Sequence, residues 1–323
     1  MRKFEWIRTA KQIMELGLSE VPTLMDPLMP KSGVMALAGS SDLGKSYLIL
    51  QLMVHIVKGE KDFLGFPLNV SHKRAIYLST EDDDYSLCPR LINMQRQTGA
   101  HLEEYNNIHI IYEIKNLVDR LDEVLCEYPC DLVGIDTFAD IYDGDMNQTN
   151  KVRSFLQPFK ELANKHKTLI LFNHHCGKRN DIRPPHKDNL LGSQGFESSM
   201  RSVIELRKDF GDSGKRHICV VKGNYISEEF KNESYEVSFD YLSGFQITGA
   251  RVAFNMLAKS TEIAKSETVL ENRILDLRKT GLSISQVSDV LMEGGVQVSR
   301  SKVGLICKKL KSIKKHIEEG MDG

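Results

Sequence analysis

The chain has 323 residues, 41% of them hydrophobic and 27% charged, with a formal net charge of -1. That length can bury one full core and a second, smaller one, so two domains are expected; the near-neutral charge excludes a uniformly cationic nucleic-acid coat. No run approaches the roughly 20 apolar residues of a membrane span, so no membrane association is expected, and scattered cysteines without a secretion-like leader point to free thiols in the cytoplasm.

The first strong signal follows an apolar run, VMALAG (34–39), that reads as a buried strand. It opens into GSSDLGKS, where Gly39, Ser40, Ser41, Asp42, Leu43, Gly44, Lys45 and Ser46 fit the pattern G-x-x-x-x-G-K-[ST]. Glycines at both ends let backbone N–H groups close around phosphate oxygens at a helix N-terminus. Lys45 would neutralise the outer phosphates and Ser46 would ligate Mg²⁺, which makes ATP and Mg²⁺ the expected ligands.

The next strand, RAIYLST (74–80), ends at Glu81 in the acidic string EDDD. In a parallel sheet its C-terminal end opens onto the same crevice as the phosphate loop, so Glu81 is the candidate general base. The plainer alternative is a solvated helix start whose carboxylates suit the dipole. After NIHIIYE (107–113), the segment CEYPC pairs Cys126 with Cys130, but no second ligand pair follows at zinc spacing and buried thiols are the expected state.

DLVGID (131–136) places Asp136 at a strand end, where its carboxylate would anchor Mg²⁺ beside Ser46; the residue after it is Thr137, so the water-orienting base must come from elsewhere. TLILFNH (168–174) ends in His174 and His175. Adjacent residues at a strand end point to opposite sides, so one of the two is the candidate γ-phosphate sensor and no His-His-Cys metal site is expected. Beyond residue 200, SVIELRKDF, GDSG and KRHICVVKG, then YEVSFD and GFQIT, read as antiparallel strands extending the sheet. The fold class is therefore α/β, a parallel sheet flanked by helices with antiparallel C-terminal strands, followed by a small helical domain. The expected boundaries are an ATPase domain over 1–250, a linker over 251–266 and a C-terminal domain over 267–323.

In order, GSSDLGKS, the strand ending in Glu81, Arg90 nine residues later, DLVGID, NHH and VKGNY resemble the RecA-type ATPase core, and within it the RepA-like replicative helicases of plasmids and other mobile elements, over about residues 15 to 248. The resemblance implies that Glu81 activates water, Asp136 holds Mg²⁺ and Arg90 packs on adenine. It also implies a homo-oligomeric ring, usually a hexamer, with ATP between subunits and a cation supplied by the neighbour. Arg201 matches the trans-acting arginine and Lys222 a second cation. Many relatives carry Lys-x-Arg where this chain has Lys222 and Asn224, which shifts the finger role onto Arg201.

Two polar loops follow strand ends, 143–152 and 177–195, the second too long for a packed connection. In RecA-like rings the corresponding loops line the channel, which implies contact of Lys178, Arg179 and Arg183 with single-stranded DNA. The tail is a second candidate DNA contact: Arg300, Lys302, Lys308, Lys309, Lys311, Lys314 and Lys315 occur with no acidic residue among them. ISQVSDVL and VSRSKVGLICKKL resemble a helix-turn-helix or winged-helix module with Ser299 as a cap, for duplex DNA or a protein partner; a solvated basic helix is the alternative. The combined expectation is an ATP-dependent DNA helicase or translocase. A nucleotide-switched DNA-binding or partner-recruiting ATPase and, more remotely, a metabolic kinase are the competing classes.

Overall fold

A computed structural model of the protein describes residues 7–177, 180–192, 194–259, 261–294, 296 and 298–308. The chain forms two compact units, Met1–Ala258 and Lys259–Gly323. The first is built on nine strands: β1 (Gly33–Gly39), β2 (Ala75–Ser79), β3 (Ile108–Ile111), β4 (Leu132–Asp136), β5 (Leu169–His175), β6 (Ser202–Lys208), β7 (Lys215–Gly223), β8 (Glu233–Asp240) and β9 (Gly244–Ala253). Their spatial order is β9-β8-β7-β6-β1-β5-β4-β2-β3. From β6 to β3 every pairing is parallel, and β6 to β9 form an antiparallel meander.

Both faces of the parallel part are covered, so its strands are apolar at consecutive positions rather than alternately. Met35, Leu37, Tyr77, Leu132, Leu169 and Leu171 pack on one side with α1 (Lys45–Lys58) and α2 (Asp84–Thr98). Val34, Ala36, Ile76, Val133, Ile170 and Phe172 pack on the other with α3 (Leu117–Glu127) and α4 (Thr149–His166). Gly134 marks where α1 crosses the sheet: a Cβ there would lie 2.7 Å from Met53 Cε and 2.8 Å from Ile49 Cγ2. β5 inserts between β1 and β4, which sets the phosphate loop and Asp136 apart by the width of one strand.

The long connection after β5 is tied down. Glu205 and Arg207 of β6 form a buried ion pair, Nη1 to Oε1 at 2.8 Å, with side chains 0% and 2% exposed. The Glu205 carboxylate accepts from the His186 N–H at 3.1 Å and from Asn189 Nδ2 at 3.1 Å. Arg207 Nη2 donates to the carbonyls of Arg183 at 2.7 Å and Leu257 at 2.9 Å. The expectation that this loop is too long and polar for a packed connection is corrected for 180–192: Glu205 and Arg207 of β6 satisfy the His186 N–H and the Arg183 carbonyl, and the Leu191 N–H bonds back to the His175 carbonyl.

The second unit contains α6 (Thr261–Lys279), α7 (Ile284–Glu293) and a helical stretch over 300–308; α5 is the short Gln194–Ser199 helix of the first unit. Ile274, Val287, Leu291, Val298 and Val303 form its core. Ser283 caps α7 in a capping box with Gln286, and Ser299 Oγ accepts from the Lys302 N–H at 3.2 Å. No strand occurs among its described residues, so the wing of a winged helix is not among them. β9 runs to Ala253 and α6 opens at Thr261, so the segment expected as a linker, 251–266, contains a strand end and a helix start. Lys309, Leu310, Lys311, Lys314 and Lys315 lie outside the described residues.

Arg207→Met should lower stability by about 3–5 kcal/mol, because it leaves Glu205 buried and unpaired. Chemical denaturation should show this loss, and Glu205→Leu/Arg207→Met together should recover more than half of it.

Candidate nucleotide-binding and hydrolysis site

The C-terminal ends of β1, β2, β4 and β5 open onto one cavity of about 570 Å³, within the size range of small-molecule sites. On its floor, β1 runs into the glycine loop and α1 begins at Lys45. Gly39 passes so close to β6 that a Cβ would stand 2.7 Å from the Leu206 carbonyl oxygen. Gly44 has φ +87°, left-handed, and a Cβ would meet the Phe239 ring at 2.9 Å, so the cradle requires glycine at both ends. Lys45 Nζ donates to the Ser40 carbonyl at 2.7 Å, folding the ammonium back over the loop. Burial pushes the Lys45 ammonium below its ordinary range, opposed chiefly by the negative charge of Asp136.

Asp136 is buried at the end of β4 and gripped from both neighbouring strands. Tyr77 of β2 donates its hydroxyl to Oδ2 at 2.5 Å, and Asn173 Nδ2 of β5 donates to Oδ1. Beyond it, Thr80 Oγ1 donates to the Asp136 carbonyl at 2.9 Å and accepts the Thr137 N–H at 3.0 Å, while Thr137 Oγ1 donates to Asp140 at 2.9 Å. Glu81 stands at the mouth with no hydrogen bond or ion pair among the described residues. Partial burial raises its carboxyl above the ordinary range, reinforced by Asp136, Asp140 and Asp82 and opposed by Lys45. A carboxylate that faces a phosphate cradle and is more basic than usual suits proton abstraction from water.

The two histidines separate as the strand period demands. His175 is half-buried and lines the cavity; burial and then the Lys45 charge lower its pKa, which keeps the ring neutral. His174 faces the opposite core, stacked on Phe196 at 4.1 Å with Nε2 2.8 Å from the Leu191 carbonyl, and burial brings its pKa to about 4. The pair therefore divides: His174 is a structural residue and His175 alone reaches the cavity.

The far wall comes from α2 and the β8–β9 turn. Arg90 grips Asp82 through both terminal nitrogens, with Nη2 to Oδ1 at 3.1 Å, and donates from Nε to the Tyr241 hydroxyl at 3.2 Å. One helical stripe, Arg90, Asn93 and Gln97, holds the turn: Asn93 Nδ2 reaches the Tyr241 carbonyl at 2.7 Å and Gln97 Nε2 the Leu242 carbonyl. Tyr47 packs against Phe239 and Tyr241 at 5.4 and 5.5 Å between ring centroids. Phe239 and Tyr241 line the cavity beside Arg90 and were not anticipated from the sequence. The available signal was three aromatics, Phe239, Tyr241 and Phe245, crowded at one hairpin end.

Arg201 and Lys222 are not in this cavity. The Arg201 N–H bonds the Val34 carbonyl at 2.8 Å and its Nη1 the Ser32 carbonyl at 3.2 Å, at the N-terminal end of β1. A seven-residue strand is about 20 Å long at the usual rise, so Arg201 cannot serve its own chain's loop. Lys222 is close by, paired with Glu197 at 3.0 Å. Lys178 and Arg179 lie outside the described residues. The Arg183 side chain is exposed. In the second unit Lys302 and Lys308 are exposed, and Arg300 pairs with Asp289 at 3.2 Å.

This sheet, with its glycine cradle, strand-end aspartate and basic glutamate, defines a P-loop nucleotide-binding domain. The sequence profile of the AAA domain family matches residues 8–181, more than half of the chain, and the protein belongs to that family. It therefore carries an AAA-type ATPase domain. No curated protein matches the sequence. No described helix is long and apolar enough to cross a membrane. The residues present fit ATP and Mg²⁺: the cradle leaves no room for a Cβ, and the buried Asn173 Oδ1 on the cavity wall has no hydrogen-bond partner.

Two outcomes follow. Glu81→Gln should reduce ATP turnover at least about a hundredfold while a fluorescent ATP analogue still binds, whereas Lys45→Ala should weaken that binding. If Glu81 is the base, the acid limb of the wild-type rate profile should lie above the usual glutamate range, because its raised pKa lets it protonate sooner as pH falls.

Proposed function

We propose that the protein is a RepA-type DNA helicase or translocase that hydrolyses ATP at the interfaces of a homo-oligomeric ring, a hexamer, and moves on single-stranded DNA in the replication of a plasmid or mobile element in the cytoplasm. The observation that carries this is the separation of Arg201 from its own phosphate loop. Among the described cavity-lining residues the only other cations are Lys45 and Arg90, and Arg90 is engaged by Asp82. Charge developing on a transferring phosphoryl group then needs a further cation, and Arg201 and Lys222 can supply one only to a neighbour.

Within each chain, Lys45 and the loop amides bind phosphate, Ser46 and Asp136 would hold Mg²⁺, and Glu81 takes the proton from the attacking water. His175, neutral, can accept or donate a hydrogen bond at the outer phosphate. Arg90 and Tyr241 present flat faces to the base. Bound Mg²⁺ would neutralise phosphate charge. Loop 177–195 contacts the DNA strand through Lys178, Arg179 and Arg183, and the C-terminal unit contacts duplex DNA through Arg300, Lys302 and Lys308.

The Lys222–Glu197 pair favours a second reading, a nucleotide switch that recruits DNA or a partner without unwinding, because one trans cation is occupied within its own chain. A strand-displacement assay beside ATP turnover with and without single-stranded DNA separates the two. Stimulated turnover with displacement supports the motor; unstimulated turnover without displacement supports the switch. Mixing Arg201→Ala with Lys45→Ala chains, each inactive alone, should restore part of the turnover at mixed interfaces, and no restoration would remove the trans role.

A further inference from the structure

The geometry points to a divalent-cation site of the zinc class formed by Asp122, Cys126 and His166 at the edge of the sheet opposite the nucleotide cavity. Asp122 and Cys126 are one turn apart on α3, on the side away from the buried Leu117, Leu121 and Leu125. His166 is the last residue of α4. One carboxylate oxygen, the thiol sulfur and one ring nitrogen all lie within 4.8 Å of one another. Ligand atoms of a tetrahedral zinc at about 2.0–2.3 Å are separated by about 3.3–3.8 Å, so small side-chain movements close the set, and water would take the fourth position.

The CEYPC segment is thereby divided. Cys130 is buried, with Sγ 3.5 Å from the Leu132 carbonyl and 3.6 Å from Thr168, and burial pushes its thiol up to about 12. Cys126 is exposed on the helix surface beside His166. Thiolate, imidazole and carboxylate together suit a borderline cation rather than Mg²⁺.

The surroundings favour positive charge. α3 and α4 both end at this cluster, so two helix C-termini contribute partial negative charge. Lys165 now answers that field: its Nζ bonds both Asp122 oxygens at 2.7 Å, while His166 Nε2 lies 2.6 Å from Oδ1. The Lys165 side chain is 57% exposed and can swing into solvent with its charge intact. On metal binding the Cys126 thiol loses its proton to solvent, a sulfur–metal bond forms, and the metal replaces the ammonium and the His166 hydrogen bond at Asp122. Because α3 leads into the start of β4 and α4 into the start of β5, the site lies at the N-terminal edge of these strands, away from Ser46 and Asp136, and millimolar Mg²⁺ with ATP should not compete.

The test is titration of the metal-stripped full chain with Co²⁺ in excess Mg²⁺, followed by Zn²⁺. The expected result is one thiolate-to-cobalt charge-transfer band per chain, bleached by Zn²⁺, with a Zn²⁺-dependent rise in thermal unfolding temperature. Cys126→Ser should remove the band, His166→Ala should weaken binding about tenfold or more, and Lys165→Gln should tighten it about fivefold by removing the competing charge. Absence of the band in a folded wild-type chain, its survival in Cys126→Ser, or Lys165→Gln binding no tighter than wild type would each overturn the assignment.

Discussion

A single buried carboxylate organises the catalytic edge. Asp136 ends β4 with Tyr77 donating from β2 and Asn173 from β5, so three adjacent parallel strands are joined at their C-terminal ends by one acceptor. Its negative charge also sets the electrostatics: it opposes the depression of Lys45 and adds to the rise of Glu81 and of Tyr77. A buried charge that accepts from neutral donors remains able to attract a cation. The tie between these strand ends and the charge environments of Lys45 and Glu81 therefore depend on the same group.

The strands were legible because both sheet faces are buried and the apolar runs are continuous, and the glycine loop because its backbone admits few other residues. Asp136 and Glu81 could be placed from their positions at strand ends. The histidine pair was half legible: the strand period said that the two part company, but only packing against Phe196 showed that His174 is the inward one. The aromatic wall was not legible, since Phe239 and Tyr241 reach the cavity through a hairpin far along the chain, held by an α2 stripe of Arg90, Asn93 and Gln97. The buried Glu205–Arg207 pair was equally hidden, because a charged pair in a strand reads as an exposed face unless its partners in another segment are known.

The two ends of the parallel sheet divide the work. The C-terminal edge holds the cleft, with α2 and the β8–β9 turn clamped together so that Arg90, Tyr241 and Glu81 line one continuous wall. The N-terminal edge holds Arg201 and, at the ends of α3 and α4, the Asp122–Cys126–His166 cluster. The proposed ring would need this arrangement, a cleft at one edge and a cation at the other, because a heterologous interface joins unlike surfaces.

The most direct test of a cleft finished by a neighbour is ATP turnover per chain as a function of protein concentration, with oligomeric mass followed in the same samples. If Arg201 acts across an interface, turnover per chain falls steeply on dilution, in step with loss of the oligomer, and recovers on concentration. Turnover per chain that stays constant down to fully dissociated protein would contradict the shared site and leave Glu81, Lys45 and Asp136 sufficient within one chain.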